Sequence, residues 1–177
     1  MRHPLEFIPL NLRKPFFYIF LALTLLTFGV FGVLDRPLRT SAAPNGIVSF
    51  ELARTADASQ TMLGSWDENA RLFAAYGLGF DYLFMPVYAL ALALGLLLAG
   101  YEKPKAYHTL TAWMGWTPFA ASGFDAVENY ALWQILIGNP SAALPQAAAF
   151  CATVKFVLLT AGTVLAVAGW VIPRASK

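Results

Sequence analysis

Residues 72–100 read LFAAYGLGFDYLFMPVYALALALGLLLAG and contain a single charged side chain, Asp81. A helix needs about 20 predominantly apolar residues to cross the hydrocarbon core of a bilayer. Three other stretches are also long and apolar enough, at residues 16–34, 106–137 and 147–172. The sequence therefore predicts an all-α integral membrane protein, a bundle of four transmembrane helices that forms one membrane domain over residues 1–177. The third stretch exceeds a straight perpendicular crossing, so we expect it to tilt, to kink at Pro118 or to project beyond the bilayer.

The composition agrees with a membrane protein and excludes several other classes. The chain has 177 residues, of which 58% are hydrophobic and 12% charged, whereas an ordinary soluble domain carries about 25% charged residues. This excludes a soluble cytosolic enzyme. A net charge of +2 without a basic cluster excludes a nucleic-acid binder, which must neutralise phosphates. Because the chain has one cysteine, Cys151, and two histidines, His3 and His108, we expect no internal disulfide, no metal and no cofactor.

The distribution of positive charges predicts how the chain is oriented in the membrane. One side would carry seven of them, namely Arg2, Arg13, Lys14, Lys103, Lys105, Arg174 and Lys177. The opposite side would carry four, namely Arg36, Arg39, Arg54 and Arg71. Both termini should then be cytoplasmic, and the lack of targeting and glycosylation signals favours a bacterial cytoplasmic (inner) membrane. Tyrosines and tryptophans near the expected interfaces, Trp66 among them, fit an aromatic belt.

Residues 35–71 form the one sizeable segment outside the expected spans. Residues 48–52 alternate apolar and polar side chains, a pattern that fits either a short strand or the start of an interfacial helix. Capping boxes that begin at Asp57 and at Ser65 would open a short helix and the second span. We interpret the loop as a cap of one or two short helices on the outer membrane face. A plain surface connector is the alternative.

Four ionisable side chains fall inside the expected spans, where each costs about 2.5–3.5 kcal/mol to insert. Asp81 is in the second span, Asp125 and Glu128 in the third and Lys155 in the fourth. Counted from the outer ends of the spans, each lies roughly 13–18 Å inside the outer boundary. Because antiparallel neighbours would bring them to one level, we expect a single polar site near the middle of the membrane.

Spacing refines this expected site. Asp125 and Glu128 are three residues apart and therefore share a helix face, with Asn129 beside them. Three acids and one lysine would leave a charge of −2 in a medium of low dielectric constant. Protonation of one or two acids, an arginine from the outer loop (Arg54 or Arg71), or a cationic or amine ligand would compensate it.

The expected roles of these residues follow from their chemistry. Glu128 is the candidate acid/base catalyst and Asp125 its partner, because two carboxyl groups held in different protonation states can donate and accept a proton. Asp81 and Lys155 would set the charge of the site, and a structural ion pair of Lys155 with Asp81 or Asp125 is the alternative. Asn129 would contribute to ligand binding, and Glu51 would reach the outer mouth of the site if the cap folds over it.

Three classes of function remain open. The first is a site that binds a small amphipathic or lipid-like molecule, with or without transforming it, so that enzymatic activity is undecided. The second is a noncatalytic subunit or assembly factor of a larger membrane complex, in which the polar residues only fix helix pairing. The third is a small proton- or cation-coupled carrier that works as a dimer. The expected partners are membrane lipids, a small amphipathic or cationic ligand, and either a second copy of the chain or a larger membrane complex.

Overall fold

The computed structural model describes residues 2–139 and 141–173, so Arg174 and Lys177 of the charge count lie outside the described residues. The chain is all-helical, as predicted, and the described residues form no strand. The described residues form seven α-helices, and a short 3-10 helix at Arg36–Leu38 follows the first of them. The α-helices are α1 (Leu10–Leu34), α2 (Ile47–Glu51), α3 (Ala56–Gly64), α4 (Glu68–Ala99), α5 (Lys105–Met114), α6 (Thr117–Leu136) and α7 (Ala143–Ala168).

Three of these helices, α1, α4 and α7, are long and apolar enough to cross a membrane. They coincide with three of the four expected spans, and they place the chain among membrane proteins. The remaining expected span, residues 106–137, is divided between α5 and α6. The structure therefore supports three crossings on length and composition, and a fourth remains a proposal.

The division of residues 106–137 into two helices corrects the expectation of one long helical segment. Helix α5 ends at Met114 with Gly115 as its C-cap, and α6 begins at Thr117 with Pro118 in its first turn. A proline fits there because its missing N–H would have no partner in the first turn of a helix. The hydroxyl of Thr117 donates to the Met114 carbonyl at 2.8 Å across the break. The expected kink at Pro118 is thus a full interruption that begins before the proline.

The chain divides into two compact units. The first unit contains the chain up to Leu25, Pro86–Ser122 and the chain from Lys155 onward, and the second contains Leu26–Met85 and Gly123–Val154. The core of the first unit joins Leu5 and Ile8 to Ala93, Leu94 and Leu97 of α4. The core of the second unit joins the outer loop to α4, α6 and α7, through residues that include Phe50, Trp66, Leu78, Leu132 and Ala148.

The outer loop contains the short helices expected of it, and all of them lie in the second unit. Residues 48–52, expected to form either a short strand or the start of a helix, belong mainly to α2 and are therefore helical. The two expected capping residues, Asp57 and Ser65, were each wrong by two positions. Thr55 caps α3 by accepting the Ala58 N–H at 3.2 Å, and Asp67 accepts the Ala70 N–H at 2.7 Å at the start of α4.

Trp66 packs inside the protein and does not face outward. Its indole is 3% exposed, packs edge-on against Phe50 with ring centroids 5.2 Å apart, and donates its N–H to the Leu38 carbonyl at 2.8 Å. The ring therefore connects the 3-10 helix with α2 and with the start of α4. A buried tryptophan needs an acceptor for its N–H, and the Leu38 carbonyl supplies it.

Candidate functional site

Helix α6 carries three polar side chains on one buried stripe. Asp125, Glu128 and Asn129 have 2%, 0% and 1% of their surface exposed, whereas Val127 and Tyr130 between and beyond them are more than half exposed. The spacing of three and four residues places the polar groups over one another on one helix face. Local sequence thus determines the stripe, because the 3.6-residue period turns the intervening apolar side chains outward.

A direct hydrogen bond joins this stripe to α4. The Asn129 side-chain amide donates to the Asp81 carboxylate, with Nδ2 and Oδ2 2.7 Å apart. With Asp81 ionised, such a bond is about twice as strong as one between neutral groups. Asp81 is partly buried. The structure therefore brings two of the expected site residues into contact, within the second unit.

Tyr82 is a residue of this region that the sequence reasoning missed. Its hydroxyl donates to the Ala126 carbonyl of α6 at 3.0 Å. A tyrosine hydroxyl at membrane depth needs an acceptor, and the position next to Asp81 was the signal that could have identified it. Together with the bond between Asp81 and Asn129, this contact gives α4 and α6 two polar links, from adjacent residues of α4 to residues three apart on α6.

Glu51 and Lys155 are buried, but they belong to different units. Glu51 ends α2 in the second unit and is 8% exposed. Lys155 lies in α7, belongs to the first unit and is 6% exposed, with its ammonium nitrogen 4.9 Å from the centroid of the Phe156 ring. That distance fits a cation–π contact. A common site for Lys155 and the acids stays a prediction.

The arginines of the second unit, all of them described, are exposed. Two of them have defined partners near the outer loop. Arg39 pairs with Asp35 at 2.9 Å, and the Arg71 guanidinium donates twice to the Leu63 carbonyl, at 2.7 and 3.2 Å. Arg71 is therefore engaged at the end of α3, which argues against it as the compensating charge for the buried acids.

The chemistry available at the stripe is that of two carboxyl groups and an amide. Among the described residues, no group of three or more His, Cys, Asp or Glu side chains is placed to hold a metal ion. Carboxyl groups on one helix face can exchange a proton with a bound molecule or accept hydrogen bonds from a cationic one. No model of a known protein family, no curated protein and no solved structure matches the chain.

Proposed function

We propose that the chain is a multi-pass membrane protein whose buried carboxylate site binds a small amphipathic or lipid-like molecule. Asp125 and Glu128 would contact the molecule, and Asn129 would orient it. Asp81 and Lys155 would set the charge, and Glu51 would face the entrance from the cap. Conversion of the bound molecule, with Glu128 as proton donor and Asp125 as acceptor, would extend binding to catalysis.

The proposal rests on the burial of Asp125 and Glu128. They lie on the same helix face as Asn129, whose hydrogen bond to Asp81 joins α6 to α4 through neither of them. Two further carboxyl groups on the same face exceed what helix pairing requires, and each carries a large desolvation cost. Ionisable residues inside membrane helices mark ligand, ion or proton sites for this reason.

The proposal includes α6 as a fourth crossing. Its 20 residues correspond to a length of about 30 Å, which matches the hydrocarbon core of a bilayer. Asp125, Glu128, Asn129 and Gln134 all lower its hydropathy. In this arrangement both termini face the cytoplasm, and the membrane is a bacterial inner membrane.

One observation favours a different function. The bond between Asp81 and Asn129, together with the contact from Tyr82 to Ala126, is what a purely structural pairing of two membrane helices would need. A noncatalytic subunit or assembly factor of a larger membrane complex would use the polar residues in this way. The experiment below therefore separates a ligand site from a structural link.

The test compares Glu128→Gln and Asp125→Asn with the parent in nanodiscs, at several pH values. Glu68→Gln and Asp57→Asn make the same chemical changes at exposed positions and serve as matched controls. A binding site holds its acids at the expense of stability, so we expect the two buried variants to melt at the same temperature as the parent or higher. A loss of several kcal/mol in both would indicate a structural network and overturn the proposal.

Native mass spectrometry of the same samples measures binding directly. The parent and the two control variants should retain a small molecule that is carried through purification, and Glu128→Gln should lose it. A parent that retains nothing, or a Glu128→Gln variant that retains the same molecule to the same extent, would contradict the site.

A further inference from the structure

The segment before α1, residues 2–9, is folded against the first unit. Leu5 and Ile8 are buried in the core formed with α4, with 7% and 8% of their surface exposed. The Trp116 indole N–H, in the connection between α5 and α6, donates to the Arg2 carbonyl at 3.2 Å. We call residues 2–9 the pre-α1 segment. Its packing is that of an ordered part of the fold.

His3 is the polar side chain at the centre of this contact. It is 6% exposed, and its Nδ1 accepts the Leu5 N–H at 3.1 Å, so the neutral ring carries its proton on Nε2. Among the described residues, no acceptor makes a well-formed hydrogen bond to the buried Nε2. A Cβ atom added at Gly115 would come within 2.2 Å of Nε2, so the ring lies directly against the glycine backbone.

The surroundings of His3 oppose a positive charge on the ring. Burial is the largest cause and lowers the pKa of His3 from 6.5 to about 4. The Ala93 carbonyl of α4 acts in the opposite direction, while Arg13 of α1 and His108 of α5 lower the pKa further. Within the pre-α1 segment, Glu6 is the acidic residue and is exposed, and Gly115 and Trp116 contribute no ionisable group.

We propose that the pre-α1 segment is a proton-operated latch, held against α4 and the α5–α6 connection by neutral His3 and released when His3 is protonated. Protonation places a hydrogen on Nδ1, which then cannot accept the Leu5 N–H. It also places a positive charge on a buried ring that lies against the Gly115 backbone. Release would expose the apolar surface of α4 that Leu5 and Ile8 now cover.

The direction of the pH dependence follows from linkage. The ring binds a proton more weakly in the latched state than in the released state, so lowering the pH favours release. With a pKa of about 4 when latched and 6.5 when released, the equilibrium constant for release should rise about 30-fold between pH 7.5 and pH 5. The contribution of neutral His3 to the stability of the latched state is complete above pH 6.5, and it declines as the pH falls toward 4.

A nitroxide spin label at Phe7→Cys, in a Cys151→Ser background, would report release in the full chain. Phe7 is 80% exposed, so the label should leave the packing intact. We expect a spectrum that reflects the restricted backbone of an ordered segment at pH 7.5, and a more mobile component that grows with the predicted 30-fold change as the pH falls to 5. His3→Gln keeps an acceptor for Leu5 but does not titrate, so its spectrum should not respond to pH.

Two additional measurements keep the result decisive if His3→Gln weakens the packing by itself. Histidine ring labelling gives two NMR signals, because the chain has two histidines, and His108→Gln assigns them. The His3 signal should titrate far below 6.5 and together with the spin-label transition, and Gly115→Ala should release the segment at neutral pH. The latch is wrong if His3 titrates near 6.5 with the label still immobilised. It is equally wrong if His108→Gln alone removes the transition.

Discussion

Asn129 is the residue whose contacts best define the polar region of the second unit. It is 1% exposed and donates to the Asp81 carboxylate at 2.7 Å. A hydrogen bond to a charged group contributes about 1.5–3 kcal/mol in soluble proteins, and bonds between membrane helices contribute less on average. The hydrogen bond of the Asn129 amide between α4 and α6 should therefore contribute enough stability to be measured by mutation.

Asn129→Ala should lower the free energy of unfolding by about 1–3 kcal/mol, because the partly buried Asp81 carboxylate loses a donor. Denaturant unfolding in mixed micelles would measure this change. Tyr82→Phe removes a neutral hydrogen bond on the same pair of helices and should cost about 0.5–1.5 kcal/mol. A double-mutant cycle of Asn129→Ala with Asp81→Ala isolates their interaction. A coupling energy indistinguishable from zero would show that the bond does not form in the membrane protein.

For single residues, the sequence predicted which side chains share a helix face better than it predicted which residues of other helices they contact. Spacing alone placed Asp125, Glu128 and Asn129 on one face, because a helix repeats every 3.6 residues. The hydrogen bond between Asn129 and Asp81 depends on the rotation of α4 about its axis. Apolar residues on all sides of a membrane helix leave that rotation undetermined, so the sequence could not give it.

Among the elements, the turn before α2 depends on one glycine. Gly46 has φ = 57° and ψ = −128°, a conformation that side-chain-bearing residues avoid. A Cβ atom there would lie 2.0 Å from the Asp35 carboxylate, which accepts the Ile47 N–H at 2.7 Å and the Arg39 side chain at 2.9 Å. Asp35 thus fills the space that a side chain at position 46 would need.

Gly46→Ala should lower the free energy of unfolding by about 1–3 kcal/mol through backbone strain alone, with the clash against Asp35 in addition. Thermal unfolding in detergent would measure the loss. Gly64→Ala is the matched control in the same loop, since nothing lies within 4 Å of its added Cβ. It should be neutral or stabilising by about 0.4–1 kcal/mol. Equal stability of the two variants would contradict the described turn.

The elements of the outer loop also show the limits of reading helix ends from sequence. Serine, threonine and aspartate all cap helices well, and residues 55–68 contain two of each. The sequence identified both helix starts and chose the wrong capping residue at each, because neighbouring candidates have similar propensities. The break between α5 and α6 was harder to place, since Gly115 gives no sign that the ring of His3 occupies the space beside it.

For the whole molecule, the number of membrane crossings depends on α6. Helices α1, α4 and α7 qualify by length and hydropathy, and an even number of crossings with both termini in the cytoplasm requires α6 as well. Hydrophobic length could be read from the sequence because it is a property of each segment alone. The assignment of α6 as a crossing could not be read from the sequence. The burial of its two acids and the break between α5 and α6 both depend on contacts with other parts of the chain.

A topology experiment would decide this. Lys105→Cys, at the start of α5, and Ser141→Cys, between α6 and α7, place thiols at exposed positions on either side of α6. In a Cys151→Ser background, a membrane-impermeant maleimide should label Ser141→Cys in intact cells and Lys105→Cys only after permeabilisation. Asp57→Cys in the outer loop should behave like Ser141→Cys. Labelling of both flanks of α6 from one side would show that α6 does not cross.

Helix α1 differs from the other long helices in one respect. None of its 25 residues, all of them described, is buried, although Phe31 packs against Phe80 and Phe84 of α4 with ring centroids 5.3 and 5.2 Å away. A side chain that must fit a closed core is restricted in shape, whereas one on an open surface within a bilayer is restricted mainly in polarity. Across natural variation, α1 should therefore exchange leucine, isoleucine, valine and phenylalanine freely while Phe31 and the buried residues of α4 change slowly.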